Sequence, residues 1–282
     1  MKKILLAGAT GYLGSFILKE LELHEYKNRV IIRNKKKLID YDRSKTEVIE
    51  AEVTKSETLS NTCKGIDTLI STIGITNQKD GLTYMDVDFG ANLNLLNEAK
   101  KSGVKKFIYI SVLNGEKLKN LKICEAKEKF VQELITSGLD YCIIRPNGFF
   151  SDMIEFYNMA KKGRIYLFGN GELKANPVHG EDLAKLCVRC ITTDDKELKA
   201  GGPETLTQSQ IAETAFKVLN KKPKITYISD WLRRFVLRLI TTFTSSKVYG
   251  PVEFFMTVMA MDMIAPEYGR HTLKEYFDSL NK

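Results

Sequence analysis

Residues 4–15 read ILLAGATGYLGS, an apolar run that passes directly into a turn holding Gly8, Gly11 and Gly14. The run has the unbroken apolar character of a strand buried on both faces. Three glycines at this spacing let the turn close tightly, let backbone approach a pyrophosphate, and let the next helix pack on the strand. That helix is expected over Tyr12 to Leu23, where Leu13, Phe16, Ile17 and Leu21 recur at helical spacing. Its free N–H groups and positive dipole end would make an anion site from backbone rather than from lysines. The stretch therefore points to a nucleotide held at Gly8, Thr10, Gly11, Tyr12, Leu13 and Gly14. Without a ligand, the same residues make only a tight strand–helix turn.

The next strand bears on which dinucleotide is held. RVIIR, residues 29–33, is short and apolar and ends on Arg33, 19 positions after Gly14. An acidic residue at about this distance binds the ribose 2′-hydroxyl of NAD, whereas an arginine pairs with the 2′-phosphate of NADP. Arg33, Asn34 and Lys35 thus favour NADP(H) over NAD(H). The plainer alternative is a solvated arginine at a strand end.

Strands and helices then alternate. VIEAEV (48–53), DTLIST (67–72), KFIYIS (106–111) and DYCIIR (140–145) read as further strands, separated by helical patterns at Gly90–Lys101 and Glu125–Thr136. Such alternation implies an α/β fold, a doubly wound parallel sheet covered on both faces, with ligands at the carboxyl ends of the strands. The expected crevice adds Arg33, Asn34, Glu52, Val53, Ser71, Thr72, Ile73, Gly74, Ser111, Pro146, Asn147, Gly148 and Phe149 to the glycine turn. After Phe150 the pattern changes to short strands (RIYLF, ELKA), helices at Gly180–Ile191 and Gln208–Leu219, and an apolar-rich stretch from Trp231 to Ala265. The expected organisation is a nucleotide-binding domain over 1–150 and a smaller C-terminal lobe over 151–282, packed on it as one continuous unit.

Bulk properties narrow the classes. A content of 43% apolar and 28% charged residues is ordinary for a soluble globular protein. The apolar run after Lys3 is too short for an export signal, and five scattered cysteines suit a reducing, cytoplasmic compartment. A net charge of +8 raises nucleic acid or an anionic surface as partners. The lysines, however, fall on polar helix faces and loops with no aromatic-interleaved stripe, which argues against nucleic acid.

GATGYLG, DVDFGANLNLLNEAKKSGVKKFIYIS, SGLDYCIIRPNGFF, VHGEDLA and GGPETLT occur in that order. Together they resemble the atypical short-chain dehydrogenase/reductases of the NmrA-like, isoflavone-reductase-like kind, over roughly residues 2–215 and, more loosely, APEYGRHTLKEYF. The resemblance implies a Rossmann-type core, bound NADP(H) or NAD(H), and substrate held in the C-terminal lobe. Some such proteins are reductases; others serve as redox sensors or assembly factors.

The resemblance also frames the catalytic residues. Ordinary members carry a tyrosine four residues before a lysine, the tyrosine as general acid or base and the lysine as ribose anchor. Here Lys127 is in place, but Ile123 stands at the tyrosine position. No phenol is then available to relay a hydroxyl proton. The serine expected near the end of the fifth strand corresponds to Ser111, which Val112 and Leu113 follow. In the isoflavone-reductase-like branch an apolar residue also precedes the lysine, and the lysine itself is assigned the acid–base role, which a lowered pKa would assist. Lys127 is accordingly a general acid or base, a ribose anchor alone, or a surface lysine of the helix KICEAKEKF.

Other candidates are weaker. Cys187 and Cys190 form a CxxC inside a helix, without a second pair or a neighbouring histidine, and read as core. His24, His179 and His271 are dispersed in sequence, which supports neither a metal cluster nor a hydrolase triad; His179 is expected to organise the helix start at Gly180–Asp182. Phe149, Phe150, Met153 and Tyr157 read as core or as the wall of an apolar or aromatic substrate site. WLRRFVLRLITTF (231–243) sets Arg233, Arg234 and Arg238 against Leu232, Phe235, Val236, Leu239 and Ile240. It either packs with its arginines in water or makes weak contact with an anionic membrane surface. The expected activity is hydride delivery from NADPH to an apolar enone, quinone or carbonyl, with a non-catalytic sensor or assembly factor as the alternative.

Overall fold

The structure, a computed structural model, describes residues 1–75 and 81–281. Two compact units divide the chain: Met1–Arg145 with Leu183–Leu198, and Pro146–Asp182 with Lys199–Lys282. A single cut at residue 150 does not describe this, because the chain returns to the first unit at Leu183.

The first unit is built on β1 (Lys3–Ala7), α1 (Tyr12–Glu22), β2 (Lys27–Ile32), β3 (Thr46–Glu50), β4 (Thr68–Ser71), α2 (Asn92–Lys101), β5 (Lys106–Ile110), α3 (Lys122–Ile135) and β6 (Asp140–Pro146). The strands lie in the order β3-β2-β1-β4-β5-β6, and each of these pairs is parallel. A seventh strand, Glu197–Ala200, closes the edge beside β6. The sheet is of the Rossmann type, as the alternation implied, with chain reversal between β1 and β4. Ile4, Leu5, Leu6 and Ala7 are all fully buried, as a strand covered on both faces requires. One face packs Leu5, Leu69, Phe107 and Tyr109 against Leu95, Ala99, Phe130 and Leu134 of α2 and α3.

Register fixes where the strands end. Ile31, Ala7, Ser71, Tyr109 and Ile143 form one row across the sheet. Gly8, Arg33, Thr72 and Ser111 all lie one or two residues beyond it, at the carboxyl edge. Four strands stop short of the ends their sequences suggested: β2 at Ile32, β3 at Glu50, leaving Glu52 and Val53 in the following turn, β4 at Ser71 and β5 at Ile110. The helical coil expected from Gly90 begins earlier, with a π-helical turn over Met85–Ala91 that continues into α2.

In the second unit, α4 (Ile154–Lys161), β7 (Ile165–Phe168) and β8 (Lys174–Ala175) follow β6. α5 (Gly180–Arg189) then carries the chain into the first unit, ending in β9 (Glu197–Ala200). β10 (Leu206–Thr207), α6 (Gln208–Val218), β11 (Ile225–Ile228), α7 (Asp230–Phe243), α8 (Ser246–Val258) and α9 (Leu273–Ser279) complete it. β7 pairs with β11 in parallel and β8 with β10 antiparallel. Phe150, Met153, Phe156, Tyr157, Phe216 and Phe277 form its core, so three of the four residues singled out after Pro146 are packing residues.

α7 departs from the arrangement its spacing suggested. Arg233 is buried: its Nε donates to Asp230 Oδ1 at 2.6 Å and its Nη1 to the Met256 carbonyl of α8 at 3.3 Å. A helix held inward by Arg233 turns Trp231, Phe235, Leu239 and Phe243 toward solvent. No helix among the described residues is long and apolar enough to cross a membrane.

Candidate functional site

The glycine turn is shaped by contacts that admit no side chain at two positions. Gly8 has φ +94°, and a Cβ there would meet Thr72 Oγ1 at 2.3 Å. A Cβ on Gly14 would lie 2.0 Å from the Gly8 carbonyl, which receives the Gly11 N–H at 3.0 Å. α1 starts at Tyr12 without a side-chain cap and without an acid in its first turn. The positive dipole end of α1 therefore carries no capping side chain and no acid of its own, which suits an anion there.

Arg33 and Asn34 follow β2 and are exposed; the Asn34 side chain accepts from the Lys36 amide at 2.9 Å and opens a short turn of three lysines. Glu52 accepts from the Thr54 hydroxyl at 3.1 Å, and the Val53 carbonyl accepts from Asn94 at 3.1 Å. Both lie just beyond the end of β3, Glu52 held by a local bond and Val53 tied to α2. Ser71 donates to Asn92 Oδ1 at 2.6 Å, and Asn92 donates to the Ile73 and Asp88 carbonyls at 3.2 and 2.9 Å. This bonding ties the loop Ser71–Gly74 to the π-helical turn.

That turn brings in a residue the sequence did not single out. Asp88 is fully buried, accepts from the Ile75 amide at 3.2 Å, and pairs with Lys127 Nζ at 2.9 Å. Gly74 sits against the pair: a Cβ there would lie 2.7 Å from Asp88 Oδ1 and 3.0 Å from Lys127 Nζ. Tyr109 is also fully buried, its ring centre 5.6 Å from Lys127 Nζ. Burial disfavours the Lys127 ammonium, but the adjacent Asp88 charge outweighs it and holds the lysine above its ordinary pKa. Burial pushes Asp88 up in turn, against the opposing pull of Lys127. The lowered pKa that would suit Lys127 to acid–base work is thus not what its surroundings produce. Lys127 is not a surface lysine either, since α3 buries it. The signal for Asp88 was present in the sequence: Asp88, Asn92, Leu95 and Ala99 share one face at helical spacing, placing a carboxylate on an otherwise core-facing stripe. Ile123 is buried four residues before Lys127.

Ser111 is drawn into a different network. Its hydroxyl donates to Glu128 Oε1 at 3.2 Å, and Glu128 also receives both terminal nitrogens of Arg145, which further pairs with Glu197 at 3.1 Å. The hydroxyl proton of Ser111 is thus directed at this buried carboxylate, and its oxygen accepts from Arg145 Nη1 at 3.4 Å. In the second unit, Pro146 ends β6 and Asn147 is buried, its amide donating to Asn176 Oδ1 at 2.7 Å and the Met263 carbonyl at 2.6 Å. Gly148 donates to Asn147 Oδ1, and Phe149 N–H to Asp152 Oδ2, so this segment's polar groups are spent on its own fold.

The histidines are less dispersed than their sequence positions suggest. His179 and His271 have ring centres 4.4 Å apart, and with Glu181 they place one donor atom each within 4.8 Å of the others. His179 Nδ1 accepts the Glu181 amide at 3.3 Å, so in that tautomer Nε2 carries the proton and neither ring nitrogen offers a free lone pair. Asp182 accepts the Arg270 and His271 amides at 2.9 and 3.0 Å. The cluster organises the start of α5 and the chain before α9. Cys187 and Cys190 are buried and free, as core cysteines should be.

A doubly wound sheet, a glycine-rich turn before α1 and a buried cation beside the loop after β4 define a dinucleotide-binding domain of the oxidoreductase type. Residues 8–194 match the NAD(P)H-binding family, and the chain belongs to that family. Divinyl chlorophyllide a 8-vinyl-reductase of Arabidopsis thaliana is 27% identical over 319 residues, covering 97% of this chain and 75% of that protein. The photosystem II assembly factor Ycf39 of Guillardia theta is 25% identical over 229 residues, covering 80% of this chain and 73% of that protein. In fold, the chain is similar to an NADPH-dependent quinone oxidoreductase from Escherichia coli solved with NADPH, with TM-score 0.74, 19% identity, and coverage of 99% of this chain and all of that one. Reductases and an assembly factor thus both stand among the relatives.

Proposed function

We propose that this protein is an NADPH-dependent reductase that transfers hydride to an apolar quinone or enone. The observation that carries the reading is the buried Lys127–Asp88 pair beneath Gly74, a fixed cation beside the loop that ends β4. The residues fit the cofactor: Gly8 and Gly14 let the turn close tightly before α1, and Gly74 lets its loop approach the Lys127–Asp88 pair closely. Bound there, a nicotinamide supplies the hydride. Lys127, held charged by Asp88, donates hydrogen bonds to ribose hydroxyls and orients the ring rather than trading protons. Arg33 pairs with the 2′-phosphate and sets the preference for NADP(H).

The absence of a tyrosine at position 123 selects among acceptors. Reducing a simple ketone builds an alkoxide, which needs a proton donor in place. Reduction of a quinone or enone instead leaves a delocalised hydroquinone or enol anion, which water can protonate. Those two classes therefore suit a site built on Lys127 and Ile123 better than a simple carbonyl does. The assembly-factor reading retains one supporting observation, the raised pKa of Lys127, which suits binding without turnover as well.

Single-turnover oxidation of bound NADPH across a panel of quinones and enones separates the two. We expect oxidation with at least one quinone or enone, and its loss together with weakened NADPH binding in Lys127→Ala. No substrate-dependent oxidation by folded protein of intact cofactor affinity would overturn the reductase reading. Arg33→Glu should weaken NADPH relative to NADH by roughly tenfold or more, the loss of one charge-assisted pair; an unchanged preference would remove the 2′-phosphate assignment.

A further inference from the structure

α7 presents an exposed face that nothing in the cofactor site uses. At about 100° per residue, Trp231, Phe235, Leu239 and Phe243 follow one another four apart and sweep an arc of about a third of the helix. All four are exposed, Trp231 by 66%, Phe235 by 52% and Phe243 by 79%. Among the described residues, fifteen large apolar side chains are exposed, and six of them are Trp231, Leu232, Phe235, Leu239, Phe243 and, on α8, Phe255. Such a concentration marks an interaction surface rather than the scattered apolar residues of any protein exterior. Arg234 and Arg238 lie along one margin of the arc and are exposed with it.

We infer that α7 is an interfacial helix that docks the protein on an anionic lipid bilayer, with its aromatic arc among the acyl chains and Arg234 and Arg238 at the headgroups. Geometry sets the mode of contact. Fourteen residues reach only ~21 Å, short of the ~30 Å hydrocarbon core, so the helix lies in the interface rather than across it. Charge sets the partner. The one carboxylate on α7, Asp230, is already shared between Arg233 and Arg234. A second copy docked across a twofold axis would bring arginines toward arginines with no acid on the helix to receive them, in a chain of net charge +8. Anionic headgroups supply the missing complement. The buried Arg233, bonded to Asp230 and α8, holds the aromatic arc outward, so the face is preformed.

Trp231 is the only tryptophan in the chain, so its emission reports on this face directly. We expect full-length protein to show a blue shift and co-sedimentation with vesicles of phosphatidylcholine and phosphatidylglycerol at about two to one, and little of either with phosphatidylcholine alone. Arg234→Gln/Arg238→Gln should require roughly thirtyfold more anionic lipid for half-maximal shift, and added salt should act in the same direction. Phe235→Ser/Phe243→Ser should abolish co-sedimentation while thermal melting and NADPH binding stay unchanged. Three results would overturn the inference: no binding to anionic vesicles, equal binding to neutral and anionic vesicles, or a lipid-free blue shift that follows a concentration-dependent mass in sedimentation equilibrium. The last would assign the face to a second copy of the chain.

Discussion

Replacing Lys127 with methionine should destabilise the protein by about 3–5 kcal/mol near neutral pH, because it strands the Asp88 carboxylate without its partner. Little solvent screening softens this figure, since the Asp88 side chain is fully buried and that of Lys127 is 11% exposed. At about 2 °C per kcal/mol for a chain of this size, the melting temperature should fall by roughly 6–10 °C. Urea unfolding at several pH values gives the decisive reading. In the variant, burial without the lysine raises the folded-state pKa of Asp88 above its unfolded value. Protonation then favours the folded state, so the deficit is greatest at high pH and shrinks as pH falls toward the carboxylate range. In the native protein Lys127 opposes that rise of Asp88, so the recovery in acid is smaller. Lys127, raised by Asp88, contributes stability that is fully present below the ordinary lysine pKa and is lost only as pH rises through its higher folded value. Asp88→Asn/Lys127→Met removes both charges and should recover most of the loss, to within about 1–2 kcal/mol of the native protein. A Lys127→Met deficit under about 1 kcal/mol, or one that does not shrink in acid, would refute the description of a desolvated ion pair.

Two further expectations separate packing from chemistry. Gly74→Ala should weaken NADPH binding and lower stability by about 1–3 kcal/mol, because its Cβ would crowd both members of the pair; calorimetric titration and urea unfolding would show it. Ser111→Ala should cost about 1–2 kcal/mol, through the hydrogen bond lost to buried Glu128, and leave single-turnover NADPH oxidation within about twofold of native. A large loss of turnover in stable Ser111→Ala protein would restore Ser111 to a catalytic role.

Much of the first unit was legible because its signals are local. A four-residue core strand, three glycines and an amphipathic helix are adjacent in sequence, and each constrains the others. That the strands form a parallel sheet followed from their alternation with helices, whereas their order across the sheet came from the structure. Side-chain assignments at the strand ends were harder, since they depend on which neighbour captures a polar group. Ser111 lies where a catalytic hydroxyl would be sought, but Glu128 and Arg145, 17 and 34 residues away, take it. The ring centres of His179 and His271 lie 4.4 Å apart although 92 residues separate them, a closeness that no spacing rule reveals. Lys127 illustrates both limits: its position was readable, and its charge state was set by a carboxylate that the sequence offered only as part of a helical stripe.

The contrast between Asp88 and Arg233 shows what a charged residue on an apolar stripe can mean. Each stands where helical spacing predicts an apolar side chain or a solvent-facing charge, and each is buried. The cost of burying a charge is several kcal/mol, so neither survives unless a partner is supplied. Asp88, within the π-helical turn over Met85–Ala91, finds Lys127 from another helix. Arg233 finds Asp230 one turn earlier and the Met256 carbonyl at the end of α8. In the first case the buried charge organises a site at the sheet edge. In the second it reverses a helix, because turning Arg233 inward necessarily turns out the residues two and six positions beyond it, Phe235 and Leu239. A buried charge on an amphipathic helix thus fixes rotation more firmly than the apolar stripe does, since misplacing a methyl group costs less than stranding an ion.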